Sequence, residues 1–155
     1  MDLSSSTLTE RRVIGSLGYN EPVSAASALP ARRKILIVDD DINGSHMHAR
    51  WLKLDGFTVE IAATAEIGLY QAQLTRPDAI IVDLHMPLID GVGFLRRLRA
   101  HDGLCDIPVA IATADLLMDE SVAKELKSLG AQISYKPLIA EEIVALARHL
   151  IEVWH

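Results

Sequence analysis

The chain has 155 residues, half of them hydrophobic and 23% charged, with a net charge of −6; this excludes a disordered chain and argues against a nucleic-acid binder held by phosphate contacts. Aromatic residues make up 5%, so the core is aliphatic. No apolar run approaches the ~20 residues a membrane span needs, the first residues show neither a basic n-region nor an apolar h-region, so a secretory signal is not expected, and the lone Cys105 has no partner for an internal disulfide; the expectation is a cytoplasmic protein without a membrane partner.

Residues 1–33 differ from the rest of the chain. Serine and threonine thin their apolar content, Pro22 and Pro30 interrupt any regular element, and they carry a net +1 against −7 for residues 34–155. A flexible arm is expected. The alternative is a short helix over 8–17, because Thr7-Leu8-Thr9-Glu10 is a capping-box pattern followed by Val13, Ile14 and Leu17 at helical spacing. Gly15 and Gly18 weigh against that helix.

From Lys34 onward, short aliphatic runs alternate with longer amphipathic segments. Residues 35–38 are apolar at every position, as a strand buried on both faces should be. A helix comes next, marked by Met47, Trp51 and Leu54 and ended by Gly56. Then come a strand over 58–61, a helix marked by Leu69 and Ala72, and a second wholly apolar strand over 79–82. Phe94, Leu95 and Leu98 mark the third helix, 107–111 the fourth strand, and Met118, Val122, Leu126 and Leu129 the fourth helix. A strand over 132–135 and a helix carrying Ile143, Leu146, Ala147, Leu150 and Trp154 complete the pattern. Five βα units predict one α/β domain over 34–155: a doubly wound five-stranded parallel sheet with helices on both faces and right-handed crossovers.

In such a sheet, ligands bind beyond the carboxyl ends of the strands. The apolar runs are succeeded by Asp39-Asp40-Asp41, then Asp83-Leu84-His85-Met86-Pro87, then Thr113-Ala114-Asp115, then Lys136-Pro137. Clustered carboxylates stay ionised together only beside a cation. Oxygen ligands favour a hard ion, and Mg²⁺ typically takes one or two carboxylates and completes its shell with water and phosphate oxygens. A lysine and a threonine hydroxyl suit the remaining oxygens of a phosphoryl group. A carboxylate left over can attack phosphorus. The pattern predicts transfer of a phosphoryl group onto the protein's own aspartate.

These four segments, in this order and spaced by 44, 30 and 23 residues, resemble the receiver domain of two-component response regulators. The resemblance covers about residues 33–153. It implies a flavodoxin-like strand order 2-1-3-4-5. It also implies that Asp83 is the phosphoacceptor, and that Asp39, Asp40, Asp83 and the backbone carbonyl of His85 hold Mg²⁺. Thr113 and Lys136 would bind the phosphoryl group, Ala114, Asp115 and Ile133 would tune the switch, and the peptide bond before Pro137 would be cis. The family commonly carries a Tyr or Phe where this chain has Ile133, so a threonine–aromatic switch is not expected, and the response should centre on residues 114–129. Asp41 would start a helix. Gly44 and His48 stand where the family places apolar residues, and His48 is expected at the core edge. The His85 ring is expected to face solvent and to tune the site rather than bind metal.

The resemblance also implies the partners. The phosphodonor would be a histidine kinase or a histidine phosphotransfer protein. The downstream protein is not identified, and a homodimer through the face formed by the fourth helix, fifth strand and fifth helix is one candidate output. With no room after His155 for an output domain, the chain is expected to be a stand-alone regulator or a fragment. It would be no enzyme beyond catalysing its own phosphorylation and dephosphorylation. The alternative is a Mg²⁺-dependent phosphohydrolase with an aspartate nucleophile, of the haloacid-dehalogenase type. That family places a second aspartate at the position of His85 and lacks the preceding double aspartate. Arg96, Arg97 and Arg99 are expected to form a solvated basic face.

Overall fold

The computed structural model describes residues 31–154. The expected arm up to Pro30, with its alternative helix over 8–17, lies outside the described residues.

Strands and helices alternate: β1 (Lys34–Val38), α1 (Ile42–Leu54), β2 (Thr58–Ala62), α2 (Ala65–Thr75), β3 (Ala79–Asp83), α3 (Gly91–Ala100), β4 (Val109–Thr113), α4 (Glu120–Ser128), β5 (Ala131–Tyr135) and α5 (Ala140–Trp154). The strands form one parallel sheet in the order β2-β1-β3-β4-β5, as the resemblance implies. Chain order reverses between β1 and β3, which makes that junction the topological switch point where such sheets bind ligands.

Successive strand residues face opposite sides, and the wholly apolar strands use both. Leu36, Val38, Ile80, Val82, Val109 and Ile111 face a core layer shared with Ala65, Ala72, Phe94, Leu95, Leu98 and Leu126 from α2, α3 and α4. Ile35, Ile37, Ala79, Ile81, Ala110 and Ala112 face the other layer, with Ala49 and Leu52 of α1 and Ile143, Leu146, Ala147 and Leu150 of α5.

Two expectations are corrected. The buried face of α1 is Ser45, Ala49 and Leu52, whereas Met47 and Leu54 are 50% and 81% exposed. Ser45 and Ala49 are small, so a pattern read from Met47 and Leu54 misses this face, while Trp51 packs half-buried against the core layer. The fourth strand begins at Val109 rather than 107. Pro108 has no N–H for a ladder; its carbonyl still accepts from the Ile80 N–H at 3.0 Å.

Register places the site. Val38 pairs with Val82, so Asp39 and Asp83, the next residue of each run, emerge side by side. Thr113 pairs with Tyr135, which brings Lys136 to the same edge, and the Lys136–Pro137 peptide bond is cis.

Candidate functional site

At this edge the side chains converge. Carboxylate oxygens of Asp39, Asp40 and Asp83 lie within 4.8 Å of one another. Lys136 reaches between two of them, its Nζ 2.9 Å from Asp39 Oδ2 and 3.1 Å from Asp83 Oδ1. Asp39 is buried, Asp40 is exposed, and Thr113 is fully buried at the end of β4. The backbone supports the arrangement: the Asp39 N–H donates to Ala62 O at 3.0 Å and the Lys136 N–H to Thr113 O at 2.8 Å. Asp39 Oδ1 also accepts the N–H of Asp41 at 2.9 Å. Asp41 caps α1, its carboxylate accepting from the Gly44 N–H, and so stands apart from the cluster.

Close packing holds Asp83 in place from behind. A Cβ on Gly91 would fall 2.7 Å from Asp83 O and 2.9 Å from Leu84 Cα. Only glycine lets α3 start against the backbone of this residue, where the Gly91 N–H donates to Leu84 O at 2.8 Å. Between them the chain makes a tight turn at Leu88, with φ of 70° and 96% exposure. That conformation is rarely adopted by a residue with a side chain.

The electrostatics are unbalanced. Three carboxylates face one ammonium. Burial, then repulsion from Asp39, pushes the Asp83 carboxyl above its ordinary range despite the lysine. Burial works against the charge of Lys136, but its bonds to Asp39 and Asp83 outweigh burial and raise its pKa above the ordinary amine value. A surplus of negative charge among oxygen donors fits a hard divalent cation, and no soft ligand belongs to the cluster.

A cleft of about 370 Å³ opens beside Lys136, lined by Asp39, Gly44, Met47, His48, Ala114 and Leu138 among others. His48 stands at the core edge, Nε2 3.1 Å from Leu138 O. The His85 ring is exposed and lies 3.2 Å from an Asp115 carboxylate oxygen. This contact joins the loops after β3 and β4, and no sequence spacing signals it. Ile133 is half-buried against the core layer of α2, α3 and α4, and Tyr135 is 47% exposed.

The arginines of α3 are not a uniform solvated face. Arg96 bonds to Glu125 of α4 through two nitrogens. Arg99 donates to the carbonyls of Leu129, Cys105 and Ile107 at 2.8, 3.0 and 2.6 Å. Its burial lowers its pKa from the usual arginine value. Sequence reasoning missed this clip because its acceptors are backbone atoms, which every residue has.

Fold and site define a doubly wound α/β domain with an acidic, lysine-bridged cluster at its switch point. Residues 35–148 match the response regulator receiver domain. The chain is 37% identical over 118 residues to the transcriptional regulatory protein PrrA of Mycobacterium leprae, covering 76% of this chain and 49% of that protein. It is 35% identical to the response regulator MprA of Mycobacterium ulcerans, with 76% and 50% covered. The chain thus spans about half the length of the curated relatives it matches. Among solved structures it resembles chemotaxis protein CheY4 of Vibrio cholerae, with TM-score 0.72, 30% identity, and 77% of this chain and 99% of that one covered. A putative response regulator from Chloroflexus aurantiacus gives TM-score 0.71, 31% identity, and 79% and 99% covered.

The chain belongs to the response regulator receiver domain family. It is a phosphoacceptor-type signalling domain of two-component systems, and the phosphohydrolase alternative is not favoured.

Proposed function

We propose that Asp83 accepts a phosphoryl group from a phosphohistidine on a histidine kinase or phosphotransfer protein. The observation that carries the reading is the convergence of Asp39, Asp40, Asp83 and Lys136 around one point at the switch edge, with Thr113 ending the neighbouring strand. An Asp83 oxygen would attack phosphorus, the P–N bond to a donor imidazole protonated on its other ring nitrogen would break, and the imidazole would keep the electron pair and depart neutral. The product is an acyl phosphate on Asp83.

Asp39, Asp40, Asp83 and the backbone carbonyl of His85 are the groups that would hold Mg²⁺. When bound, the ion supplies charge neutralisation for the phosphoryl oxygens. Lys136, already placed between two carboxylates, would ion-pair with a phosphoryl oxygen. Thr113 would supply a hydrogen bond to another. Ala114, one residue on and exposed, leaves room for that group to enter. The domain is proposed to turn over only its own phosphoryl group and to work in the cytoplasm; among the described residues no helix is long and apolar enough to cross a membrane.

The partner-facing helix is proposed to be α1. It has no acidic residue, and His46, Arg50 and Lys53 are exposed beside Met47 and Leu54. The downstream partner would read α4, β5 and α5, either as a second copy or as another protein. Residues 1–33 supply no proposed site residue, so the phosphoacceptor unit is residues 34–155.

The test is intact-mass analysis after incubation with acetyl phosphate and Mg²⁺. Wild type gains one phosphoryl group, Asp83→Asn gains none, and chelator prevents labelling. Equal labelling of both proteins refutes the assignment, and labelling that persists in chelator refutes the metal role. A chain lacking residues 1–32 is expected to label like the whole.

A further inference from the structure

One side-chain contact at the mouth of the site takes no part in holding or receiving the phosphoryl group. His85, two residues beyond Asp83, places Nε2 3.2 Å from Oδ2 of Asp115, across the gap between the loops after β3 and β4. Asp115 is the hub of its loop. Its Oδ1 accepts the Leu117 N–H at 3.0 Å, and its own N–H donates to Thr113 Oγ1 at 3.0 Å. Apolar packing does little there: Ala114, Leu116 and Leu117 are exposed, the two leucines at 74% and 92%, and burial resumes only at Met118. Polar contacts therefore fix this loop. The segment that bears His85 is anchored separately, by the Leu84 N–H on Ala112 O at 3.2 Å and the Gly91 N–H on Leu84 O at 2.8 Å.

We propose that His85 and Asp115 form a latch between these two loops that keeps the Thr113 hydroxyl engaged by its own loop and restrains its turn toward a phosphoryl group on Asp83. The inference rests on the phosphoacceptor reading. A turn of Thr113 Oγ1 toward a phosphoryl oxygen would either release the Asp115 N–H or draw Asp115 along with it. Asp115 cannot move freely while its other end is tied to His85 on the anchored loop. The latch does not depend on the charge of His85, because a neutral imidazole with its hydrogen on Nε2 donates to a carboxylate as an imidazolium does. Both residues act through Thr113 and are positioning residues. A ligand shifts a two-state equilibrium only through contacts that differ between the states, and this contact differs.

The experiment compares wild type, His85→Ala and His85→Gln. The His85 side chain is 65% exposed, so both variants fold, and both keep the backbone carbonyl. Amide exchange is read first, without metal or phosphodonor. The Asp115 and Leu117 amides are expected to exchange about two- to fivefold faster in His85→Ala, the scale of one exposed pair. His85→Gln, which retains a donor near the Nε2 position, is expected to restore slow exchange. The acetyl phosphate labelling rate is read second, and is expected to rise by about the same factor in His85→Ala and to return in His85→Gln. Unchanged exchange at both amides in His85→Ala overturns the latch. Faster exchange with an unchanged labelling rate, or a rate that His85→Gln does not restore, overturns its link to Thr113. Failure of wild type to label at all overturns the phosphoacceptor reading instead, and the exchange measurement still decides whether the latch exists.

Discussion

The two edges of the sheet handle charge in opposite ways. At the edge where the strands begin, basic side chains end on acceptors. Arg33 pairs with Asp78 at 3.5 Å, and Lys34 donates from its backbone to Asp78 at 2.7 Å and from Nζ to Thr75 O at 3.2 Å. Arg76 donates to Gly103 O at 3.0 Å, and Arg99 holds three carbonyls. At the edge where the strands end, three carboxylates share one lysine. One edge is closed electrostatically and the other is left with surplus charge. The chemistry is proposed at the unbalanced edge because a site that must take up a cation and an anionic group cannot already be neutral.

Removing the lysine should show the imbalance most strongly. Lys136→Ala leaves Asp39 and Asp83 facing each other without a cation. Urea unfolding in chelator is expected to show a loss of about 3 kcal/mol, typical of breaking one partner out of a buried pair. Added Mg²⁺ should recover part of it, and labelling should fall at least tenfold.

The closed edge should behave differently. Arg99→Ala removes a guanidinium from three carbonyls and is expected to lose roughly 2 kcal/mol, on the scale of charged hydrogen bonds. The labelling rate should stay within twofold of wild type. A large loss of labelling at full folding would mean that the two edges are coupled.

Asp83→Asn should move stability the other way. It removes a carboxylate whose charge burial and Asp39 disfavour. In chelator it is expected to gain about 1 kcal/mol, within the range common for stabilising substitutions. The pH dependence sharpens this. The native Asp83 holds its proton more tightly than the unfolded chain does, so in wild type without metal its contribution to stability falls as pH rises from the ordinary 3.8 through the raised value. Asp83→Asn should lack that component. The raised Lys136 contributes oppositely at the alkaline end: its share is complete below the ordinary 10.5 and is lost as pH rises through its raised value. Unfolding free energies measured across both ranges test the two signs.

The smallest effect is expected on the surface. Glu125→Gln removes the partner of the exposed Arg96, and the urea unfolding midpoint should stay within measurement error of wild type.

The α/β class was written in the chain, because the runs 35–38 and 79–82 are apolar at every residue and only strands buried on both faces tolerate that. The candidate site residues could also be read, since each stands at or just beyond the carboxyl end of a strand and parallel strands deliver such residues to one edge. Tertiary structure decided the rest. The buried face of α1 is Ser45, Ala49 and Leu52, two of them small residues that a search for large apolar side chains passes over. Arg99 finds its carbonyls, and His85 finds Asp115, across gaps of six to thirty residues. Local pattern carries the period of each element, while contacts between elements depend on how the loops bring them together in space, which no single segment encodes.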